Sequence, residues 1–374
     1  MIGLYLHIPF CAKKCHYCDF VMTTAQSQDK RDTFLDALEK EMFHYAPLLK
    51  GRCFSTIYLG GGTPSRLDAV EITRVFSSLR KHFLFEADLE VTLEANPGDL
   101  DEDKVKTYKE LGVNRISLGA QSFRDEILRA INRAHGAKDI YESFALLRKH
   151  GFKNINLDLI LSLPGETSRD TEHSLMELKK LNPEHVSIYE LTIEERTVFG
   201  HQFKKGTLKL PEEDEQLRTL SFAREFLKAN GFIHYELLNY AKPGFQSRHN
   251  RLYWVNEETL GLGPGAFSYF AGRRFRNSSS VDEYLLKIES DNWSASEEEI
   301  LTPEKREVES FLLSLRLLEG TDLNAFQFVK NNFKRSLSGL LDQELLTKEG
   351  TRVRLTSRGQ LFAESVFAEL SVPC

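Results

Sequence analysis

Cysteine is scarce in this chain, and long apolar runs are missing. Five of the 374 residues are cysteine, and no apolar stretch approaches the ~20 residues that are needed to span a bilayer. The N-terminus also lacks the basic region, apolar run and small-residue cleavage site of a secretory signal peptide. These absences predict a cytoplasmic chain, in which thiols stay reduced and a disulfide framework is not expected.

The chain also lacks an excess of positive charge. Its formal net charge is −6, so no global electrostatic attraction draws it to nucleic acid or anionic lipid. We therefore expect no nucleic-acid partner. Peripheral association with a membrane stays open, because it needs no membrane-spanning segment.

Three of the few cysteines stand close together near the N-terminus. Cys11, Cys15 and Cys18 have C-x3-C-x2-C spacing within eight positions. In a reducing compartment such a group is more often a metal or redox site than a disulfide framework. Three thiolates on one short loop can hold a cubane iron–sulfur cluster and leave one iron open.

Structural zinc is the competing interpretation of this loop. Zinc prefers a closed tetrahedral shell, here three cysteines with His16 or His7. Zinc loops usually pair cysteines with a second, distant pair, whereas Cys53 and Cys374 each stand alone. The spacing therefore favours an iron–sulfur cluster over zinc.

Strand-like and helix-like segments alternate along most of the chain. Short β-branched and aromatic runs predict strands, and the charged segments between them carry apolar residues at helical spacing. The predicted strands are 3–8, 55–61, 89–96, 114–121, 154–161, 185–192 and 233–240. This alternation predicts a parallel β/α sheet or barrel, whose chemistry lies beyond the carboxyl ends of its strands. The cysteine loop and several polar or glycine residues follow such strands.

The composition changes near residues 290–300, which are polar and acidic and predict a linker before a helix that begins near Thr302. Short helices and a small β element are predicted after it. The chain is thus long enough for one large domain and one small domain.

The cysteine loop and five later motifs resemble radical S-adenosylmethionine (SAM) proteins. The similar branch contains oxygen-independent coproporphyrinogen oxidase and the HemW-type haem chaperones. The ordered motifs are "HIPFCAKKCHYCDF" (7–20), "YLGGGTPS" (58–65), "LEANPG" (93–98), "GVNRISLGAQSF" (112–123), "NINLDLILSLPGET" (154–167) and "RHNRLYW" (248–254). Because the series is ordered and covers nearly the whole chain, the match is specific.

The resemblance implies a partial (β/α)6 radical SAM barrel with a helical, winged-helix-like C-terminal domain. It divides the chain into a core barrel at 1–235, a haem-motif segment and linker at 236–295, and the C-terminal domain at 296–374. A winged helix often binds nucleic acid, but residues 340–356 carry mixed charges where a DNA reader is usually basic. Nucleic-acid binding by a structural-metal protein is therefore the least favoured class.

The resemblance also implies cofactors and their contacts. A [4Fe–4S] cluster would be held by Cys11, Cys15 and Cys18, screened from water by Phe10, Tyr17 and Phe20. The open iron would take the amino and carboxylate groups of SAM. The other positions that match SAM contacts in the family are Tyr5, Gly61, Gly62, Thr63, Glu94, Gln121, Arg133 and Asp158.

Two features separate the relatives from one another. The oxidase branch has C-x3-C-x2-C-x-C spacing, whereas this chain has Phe20 in place of the fourth cysteine. The oxidase also carries an N-terminal extension, whereas this chain reaches Cys11 after ten residues. "HNRLYW" matches the haem motif of the chaperones, with His249 as the candidate iron ligand and Tyr253 and Trp254 as apolar surface for a porphyrin. Phe267 stands where many relatives carry a histidine, which leaves the sixth ligand open.

The resemblance therefore predicts a haem chaperone that passes haem to an acceptor protein, with the cluster and SAM regulating or accompanying the transfer. The alternative is oxygen-independent coproporphyrinogen III oxidase, a radical decarboxylase. Sequence leaves open the acceptor, covalent or non-covalent haem attachment, the number of SAM molecules, SAM cleavage and the oligomeric state.

Overall fold

The computed structural model describes residues 1–371, in which two β-sheets occur. The strands of the large sheet are β1 (Ile2–Ile8), β2 (Cys53–Gly61), β3 (Leu84–Ala95), β4 (Arg115–Gln121), β5 (Ile155–Leu161), β6 (His185–Glu190), β7 (Ile233–Glu236), β8 (Asn239–Ala241), β9 (Glu258–Leu262), β10 (Phe267–Phe270), β11 (Arg273–Arg276) and β12 (Glu297–Ile300). The small sheet consists of β13 (Thr321–Asp322), β14 (Leu346–Glu349) and β15 (Arg352–Leu355).

The α-helices connect and cover these strands. They are α1 (Gln28–Tyr45), α2 (Ala69–His82), α3 (Glu102–Glu110), α4 (Asp125–Ala130), α5 (Ala137–Lys149), α6 (Ser168–Leu181), α7 (Val198–Lys204), α8 (Glu213–Ala229), α9 (Arg248–Trp254), α10 (Val281–Glu289), α11 (Pro303–Ser314), α12 (Gln327–Asn332), α13 (Lys334–Asp342), α14 (Ser357–Leu361) and α15 (Ala363–Glu369). Among the helices of residues 1–371, none has the length and apolar character that a membrane crossing requires.

The large sheet is an open barrel. Strands β1 to β6 pair in parallel and in chain order, and β9 adds to β1 in parallel on the other side. The sheet order is β12-β11-β10-β9-β1-β2-β3-β4-β5-β6-β8-β7, and the two end strands do not pair with each other. Helices join each successive parallel pair, as right-handed β/α crossovers require. The predicted partial (β/α)6 barrel is confirmed.

Residue alternation on β1 explains how the barrel acquires a polar interior. Leu4, Leu6 and Ile8 are fully buried in the main hydrophobic core, which also contains residues of α1 and α2. Successive side chains of a strand point to opposite faces, so Tyr5 and His7 face the inside of the barrel. The hydroxyl of Tyr5 lies 3.1 Å from Nδ1 of His7. The inner face therefore carries functional groups while the outer face supplies the core.

Residues 233–240 differ from the single predicted strand. They form β7 and β8, which pair antiparallel as a hairpin. The buried carboxylate of Glu236 accepts hydrogen bonds from the Leu238 amide and the Asn239 side chain, which stabilises the reversal. The apolar pattern of the segment gives no signal for this turn.

The predicted linker at 290–300 also differs, because its end forms edge strand β12. Ion pairs connect Arg273 to Glu298 and Arg276 to Glu297 across β11 and β12, and charge complementarity thus replaces the apolar pattern expected of a strand. Residues 236–295 likewise contain β8 to β11, which belong to the large sheet, and helices α9 and α10. The division into three domains stays a prediction.

The C-terminal region has its own core and the predicted mainly helical composition. Helix α11 begins at Pro303 after Thr302, whose side chain accepts from the Lys305 amide, as the sequence predicts. Helices α11 to α15 and the β13-β15-β14 sheet pack around a second core that includes Phe311, Phe333 and Val366. The wing-like sheet is antiparallel.

Candidate functional site

The cysteine loop leaves the barrel at the carboxyl end of β1. Backbone hydrogen bonds between Cys11 and Thr23 and between Thr23 and Pro9 close the base of the loop. A turn brings the Cys18 amide to the Cys15 carbonyl at 3.2 Å. These hydrogen bonds fix the two ends of the loop, and all three thiols lie on the residues between Pro9 and Thr23.

The thiols have the chemistry that a cluster needs. All three are free and partly buried. Burial raises the pKa of the Cys11 thiol to about 11 and also raises the pKa of Cys18. Metal binding must therefore displace protons from these thiols, and the positive charge of the metal then stabilises the thiolates. The donor set fits an iron–sulfur cluster, and Cys11, Cys15 and Cys18 would hold it.

The zinc alternative receives no geometric support. His7 contacts the Tyr5 hydroxyl through Nδ1 and the Val21 carbonyl oxygen through Nε2, so both of its ring nitrogens are occupied. Within residues 1–371, no three His, Cys, Asp or Glu side chains converge on one metal position. A tetrahedral zinc site needs such convergence, whereas a cubane binds each thiolate to a different iron.

A glycine loop lies directly beside the cysteine loop. Thr63 places Oγ1 3.5 Å from Sγ of Cys11, and the Gly62 amide donates to the Ile8 carbonyl at 2.9 Å. Gly61 has φ +102°, and a Cβ atom built on it would lie 2.5 Å from the His7 ring. On Gly62 a Cβ atom would lie 2.7 Å from the Pro9 backbone. The backbone here has no room for side chains, because it packs directly against β1 and the start of the cysteine loop.

Glu94 extends from the end of β3 into the barrel. Its carboxylate accepts from the Tyr58 hydroxyl at 2.7 Å and from the Gly61 amide at 3.2 Å. Burial raises its pKa to about 7 despite these hydrogen bonds. Tyr5 stacks on Tyr58, with ring centroids 6.2 Å apart, and burial raises its pKa well above the ordinary value. The group is a hydrogen-bonded acid within an aromatic wall.

Asp158 lies deeper in the same lumen. Its carboxylate accepts from Ser117 at 3.1 Å and from Asn156 at 2.7 Å, while burial raises its pKa. The sequence pattern suggests an isolated carboxylate in an apolar strand, which would be costly to bury. These hydrogen bonds offset that cost. Asp158 is thus a satisfied interior acid.

Gln121 ends β4 with a left-handed backbone, φ +66°. Its Oε1 atom is buried and has no hydrogen-bond partner in residues 1–371. Left-handed geometry is uncommon for glutamine, and an unpaired buried amide oxygen is costly. Both features fit a side chain that is held ready for a polar ligand.

Arg133 connects the rim of the barrel to the cysteine loop. Its guanidinium donates to the Gly119 carbonyl at 2.8 Å, to the Asn96 side chain, and to Sγ of Cys15 at 3.5 Å. Nε is buried without a partner among the described residues. A cation beside the thiols favours their ionised form, and its free donor fits a carboxylate.

The three aromatic residues expected to screen the cluster have different surroundings. Tyr17 contacts Cys15, and its pKa is raised mainly by burial. Phe10 packs instead against Phe34 in the core, with centroids 5.3 Å apart, and Phe20 is 68% exposed. Sequence position alone cannot distinguish these directions.

His249 lies at the opposite end of the barrel. Its ring is 1% exposed, with Nδ1 2.7 Å from Oγ1 of Thr56 and Nε2 2.9 Å from the Tyr253 hydroxyl. The His249 ring lies next to Gly3. The cysteine loop begins after Ile8, five residues further along β1, so the two sites are roughly 16 Å apart along the strand. Burial lowers the pKa of His249 to about 3, so the imidazole is neutral.

The structure therefore brings most predicted residues together but separates one of them. Hydrogen bonds join the two loops through Thr63, Asn96 and Arg133, with Glu94 and Asp158 below them in the lumen. His249 lies toward the other end, where its ring centroid is 5.1 Å from that of Tyr58, the residue that donates to Glu94. Sequence analysis missed Thr56 and Tyr58, which contact His249 and Glu94; the alternation of β2 puts both on the inner face.

Two family models match the chain. The Radical SAM superfamily model matches residues 5–178, and the HemN C-terminal domain model matches residues 301–362. The first match spans the cysteine loop, the glycine loop and the lumen acids. Membership of the radical SAM superfamily implies a [4Fe–4S] cluster and SAM as cofactors, and the described residues fit both.

Similar proteins extend the match to nearly the full length. "Heme chaperone HemW" of Bacillus subtilis is 37% identical, covering 98% of this chain and 98% of that protein. The protein of that name in Escherichia coli is 32% identical, covering 98% and 97%. The solved coproporphyrinogen III oxidase (HemN) from Escherichia coli is 26% identical with a TM-score of 0.88, covering 99% of this chain and 90% of that one. The chain belongs to the HemW heme chaperone family within the radical SAM superfamily.

Proposed function

We propose that this protein is a haem chaperone that binds haem and transfers it to an acceptor protein. The observation that carries the proposal is the 37% identity over 98% of both chains with a protein named as a heme chaperone. The "HNRLYW" motif supports it, since it provides a neutral imidazole beside two aromatic residues. Neutral imidazole is the form that binds iron.

Coordination by His249 requires a local rearrangement. Both ring nitrogens are hydrogen-bonded, so Nε2 must leave the Tyr253 hydroxyl before it can reach iron. Nδ1 can keep its contact with Thr56 and donate its proton there, which leaves the Nε2 lone pair for the metal. Thr56 thereby selects the tautomer that a ligand needs.

The rim residues are proposed to serve SAM and the cluster. Cys11, Cys15 and Cys18 hold the cluster, while the Gly61–Thr63 backbone lies against SAM. Glu94 and Asp158 offer carboxylates to its polar groups, Arg133 and Gln121 offer polar contacts, and Tyr5 and Tyr17 supply aromatic surface. When bound, the cluster and SAM can supply an electron and a deoxyadenosyl radical. We propose that they regulate or accompany haem transfer.

Coproporphyrinogen III oxidase is the competing function, because the fold matches that enzyme with a TM-score of 0.88. Phe20 stands against it, since this residue occupies the position of a fourth cysteine and its ring points to solvent. A radical decarboxylase would convert coproporphyrinogen to protoporphyrinogen under anaerobic reducing conditions. The proposed chaperone would not.

The test combines both activities in one preparation. Reconstituted protein is loaded with haem and mixed with apomyoglobin as a probe acceptor, and transfer is followed by absorbance. We expect haem to move from this protein to apomyoglobin faster than it moves to apomyoglobin from albumin, which serves as a non-specific carrier. Protoporphyrinogen formation in the parallel incubation, without haem transfer, would replace the chaperone with the oxidase.

SAM affinity should depend on the ionisation of Glu94. Because burial raises its pKa to about 7, the carboxyl is mainly protonated at about pH 6 and ionised at about pH 8. The ionised carboxylate is the stronger hydrogen-bond acceptor for the amino and hydroxyl donors of SAM, so affinity should rise with pH over this interval. Glu94→Gln should weaken binding and flatten the profile in equilibrium dialysis.

Glu41→Gln is the matched control for Glu94. Burial also raises the pKa of Glu41 to about 7, but its carboxylate accepts hydrogen bonds from the Gly263 amide and the Tyr284 hydroxyl and is not part of the Glu94 group. This variant should keep the pH profile of the parent. An unchanged profile in Glu94→Gln would remove Glu94 from the SAM site.

A further inference from the structure

Strand β4 contains a β-bulge just before it ends at the rim of the barrel. From Leu118 to Gln121 this strand advances three residues, whereas β5 advances only two, from Leu157 to Leu159. A bulge interrupts the regular ladder of backbone hydrogen bonds and redirects the side chains beside it. Gln121, with its left-handed φ of +66°, is the residue at which the pairing resumes. The bulge therefore decides where the side chain of Gln121 points.

Side chains from outside the sheet hold the carbonyl groups of this bulge. The Gly119 carbonyl accepts from the guanidinium of Arg133 at 2.8 Å. The next carbonyl, that of Ala120, accepts from Nε2 of His135 at 3.2 Å and from the Ser122 amide at 2.8 Å. Arg133 and His135 thus bind two successive carbonyls from one short segment, and these hydrogen bonds satisfy the buried backbone at the bulge.

His135 is 7% exposed, and its surroundings fix its protonation. Burial and the charge of Arg133 lower its pKa to about 4, so the imidazole is neutral at physiological pH. Because a carbonyl oxygen can only accept, the single ring proton lies on Nε2. Nδ1 is then an acceptor, and it is buried without a hydrogen-bond partner among the described residues. An unpaired buried nitrogen costs free energy, which indicates that the imidazole is present for its Nε2 donor and not only to fill space.

The amide of Gln121 lies over Gly119, beside the guanidinium of Arg133. A Cβ atom built on Gly119 would lie 3.0 Å from Nε2 of Gln121 and 3.2 Å from Nη2 of Arg133. Oε1 of Gln121 has no hydrogen-bond partner in residues 1–371. Two polar groups therefore lie side by side at the rim, and the position of one of them depends on the bulge.

We propose that His135 is a positioning residue for SAM. It holds the Ala120 carbonyl, so that the bulge keeps the Gln121 amide in the orientation that the ligand needs, and it does not itself contact SAM. The inference rests on the proposed function, in which Gln121 contacts SAM, and adds a residue that acts through the backbone of β4. The essential feature of His135 is then the donor at Nε2.

The SAM affinity of full-length, anaerobically reconstituted variants can be compared by equilibrium dialysis. Glutamine can place an amide donor at the position of Nε2, whereas the shorter asparagine places its amide near Nδ1. We expect His135→Gln to bind SAM within about twofold of the parent, and His135→Asn to bind about tenfold more weakly. His150→Asn is the control, because this histidine lies at the far end of α5, where it contacts Glu102, and it should match the parent.

A double variant separates positioning from a general loss of structure. In the Gln121→Ala background, His135→Asn should cause no further loss of SAM affinity, because no amide is left to orient. An equal loss in both backgrounds would overturn the inference. So would parent-like affinity of His135→Asn alone, or a loss in His135→Gln as large as that in His135→Asn.

Failure of the SAM site itself has a different result. If the parent binds no SAM, the proposed SAM site fails and the role of His135 fails with it. Circular dichroism and iron content identify a variant that has not folded. If His135→Asn does not fold, His135→Phe takes its place with the same expectations, because the phenyl ring fills the same space without a donor.

Discussion

Replacing Cys15 with alanine is expected to abolish the [4Fe–4S] cluster. Only three thiols are present on the loop, so loss of one leaves two ligands for a centre with four irons. Cys15 is also the thiol that receives a hydrogen bond from Arg133, at 3.5 Å, which makes it the one most directly connected to the rim. Partial occupancy is not expected, because no other cysteine follows on the loop.

The cluster prediction is measured as iron and acid-labile sulfide after anaerobic reconstitution, together with the visible absorbance of the cluster. Cys53→Ala is the control, because Cys53 is exposed at the start of β2 and lies at the other end of the barrel. Cys15→Ala should fall to background while Cys53→Ala matches the parent. Equal iron and sulfide in the two variants would show that the loop does not hold the cluster.

Gly61→Ala should strongly destabilise the protein through the glycine loop. Its φ of +102° is unfavourable for alanine, and the new Cβ would lie 2.5 Å from the His7 ring. His7 cannot easily yield, because its two ring nitrogens contact Tyr5 and the Val21 carbonyl. Overpacking of this kind costs about 1–3 kcal/mol in addition to the backbone strain.

Gly51→Ala isolates the backbone part of that cost. Gly51 also has positive φ, +79°, but nothing lies within 4 Å of the position of its Cβ atom. It should lose only about 1–2 kcal/mol from left-handed strain. Urea unfolding should therefore show a clearly larger loss for Gly61→Ala, with weaker SAM binding as well. Equal losses for the two variants would mean that the contact with His7 is not restrictive.

The sequence was sufficient to predict the main architecture. Each barrel unit has a local signal, an alternating strand followed by an amphipathic helix, and the cysteine spacing is visible within eight residues. The rim could also be predicted, because parallel strands end on the same side. These predictions need only short-range patterns.

Contacts between distant segments could not be predicted in the same way. His249 meets Thr56 across 193 positions, and this contact exists only because α9 packs beneath the barrel. A glutamate in a charged helical segment predicts a solvent-exposed side chain, yet Glu41 is 1% exposed and accepts hydrogen bonds from Gly263, Asn277 and Tyr284. Neither partner set has a signature in the local sequence.

The most direct test of the account is an anaerobic haem titration of the parent, His249→Ala and Tyr253→Phe, followed by absorption spectroscopy. The parent should bind haem stoichiometrically with the spectrum of an imidazole ligand, and His249→Ala should lose that spectrum. Tyr253→Phe should keep it, because the change releases Nε2 while the imidazole remains. Unchanged haem binding and an unchanged spectrum in His249→Ala would contradict the assignment of haem to this motif.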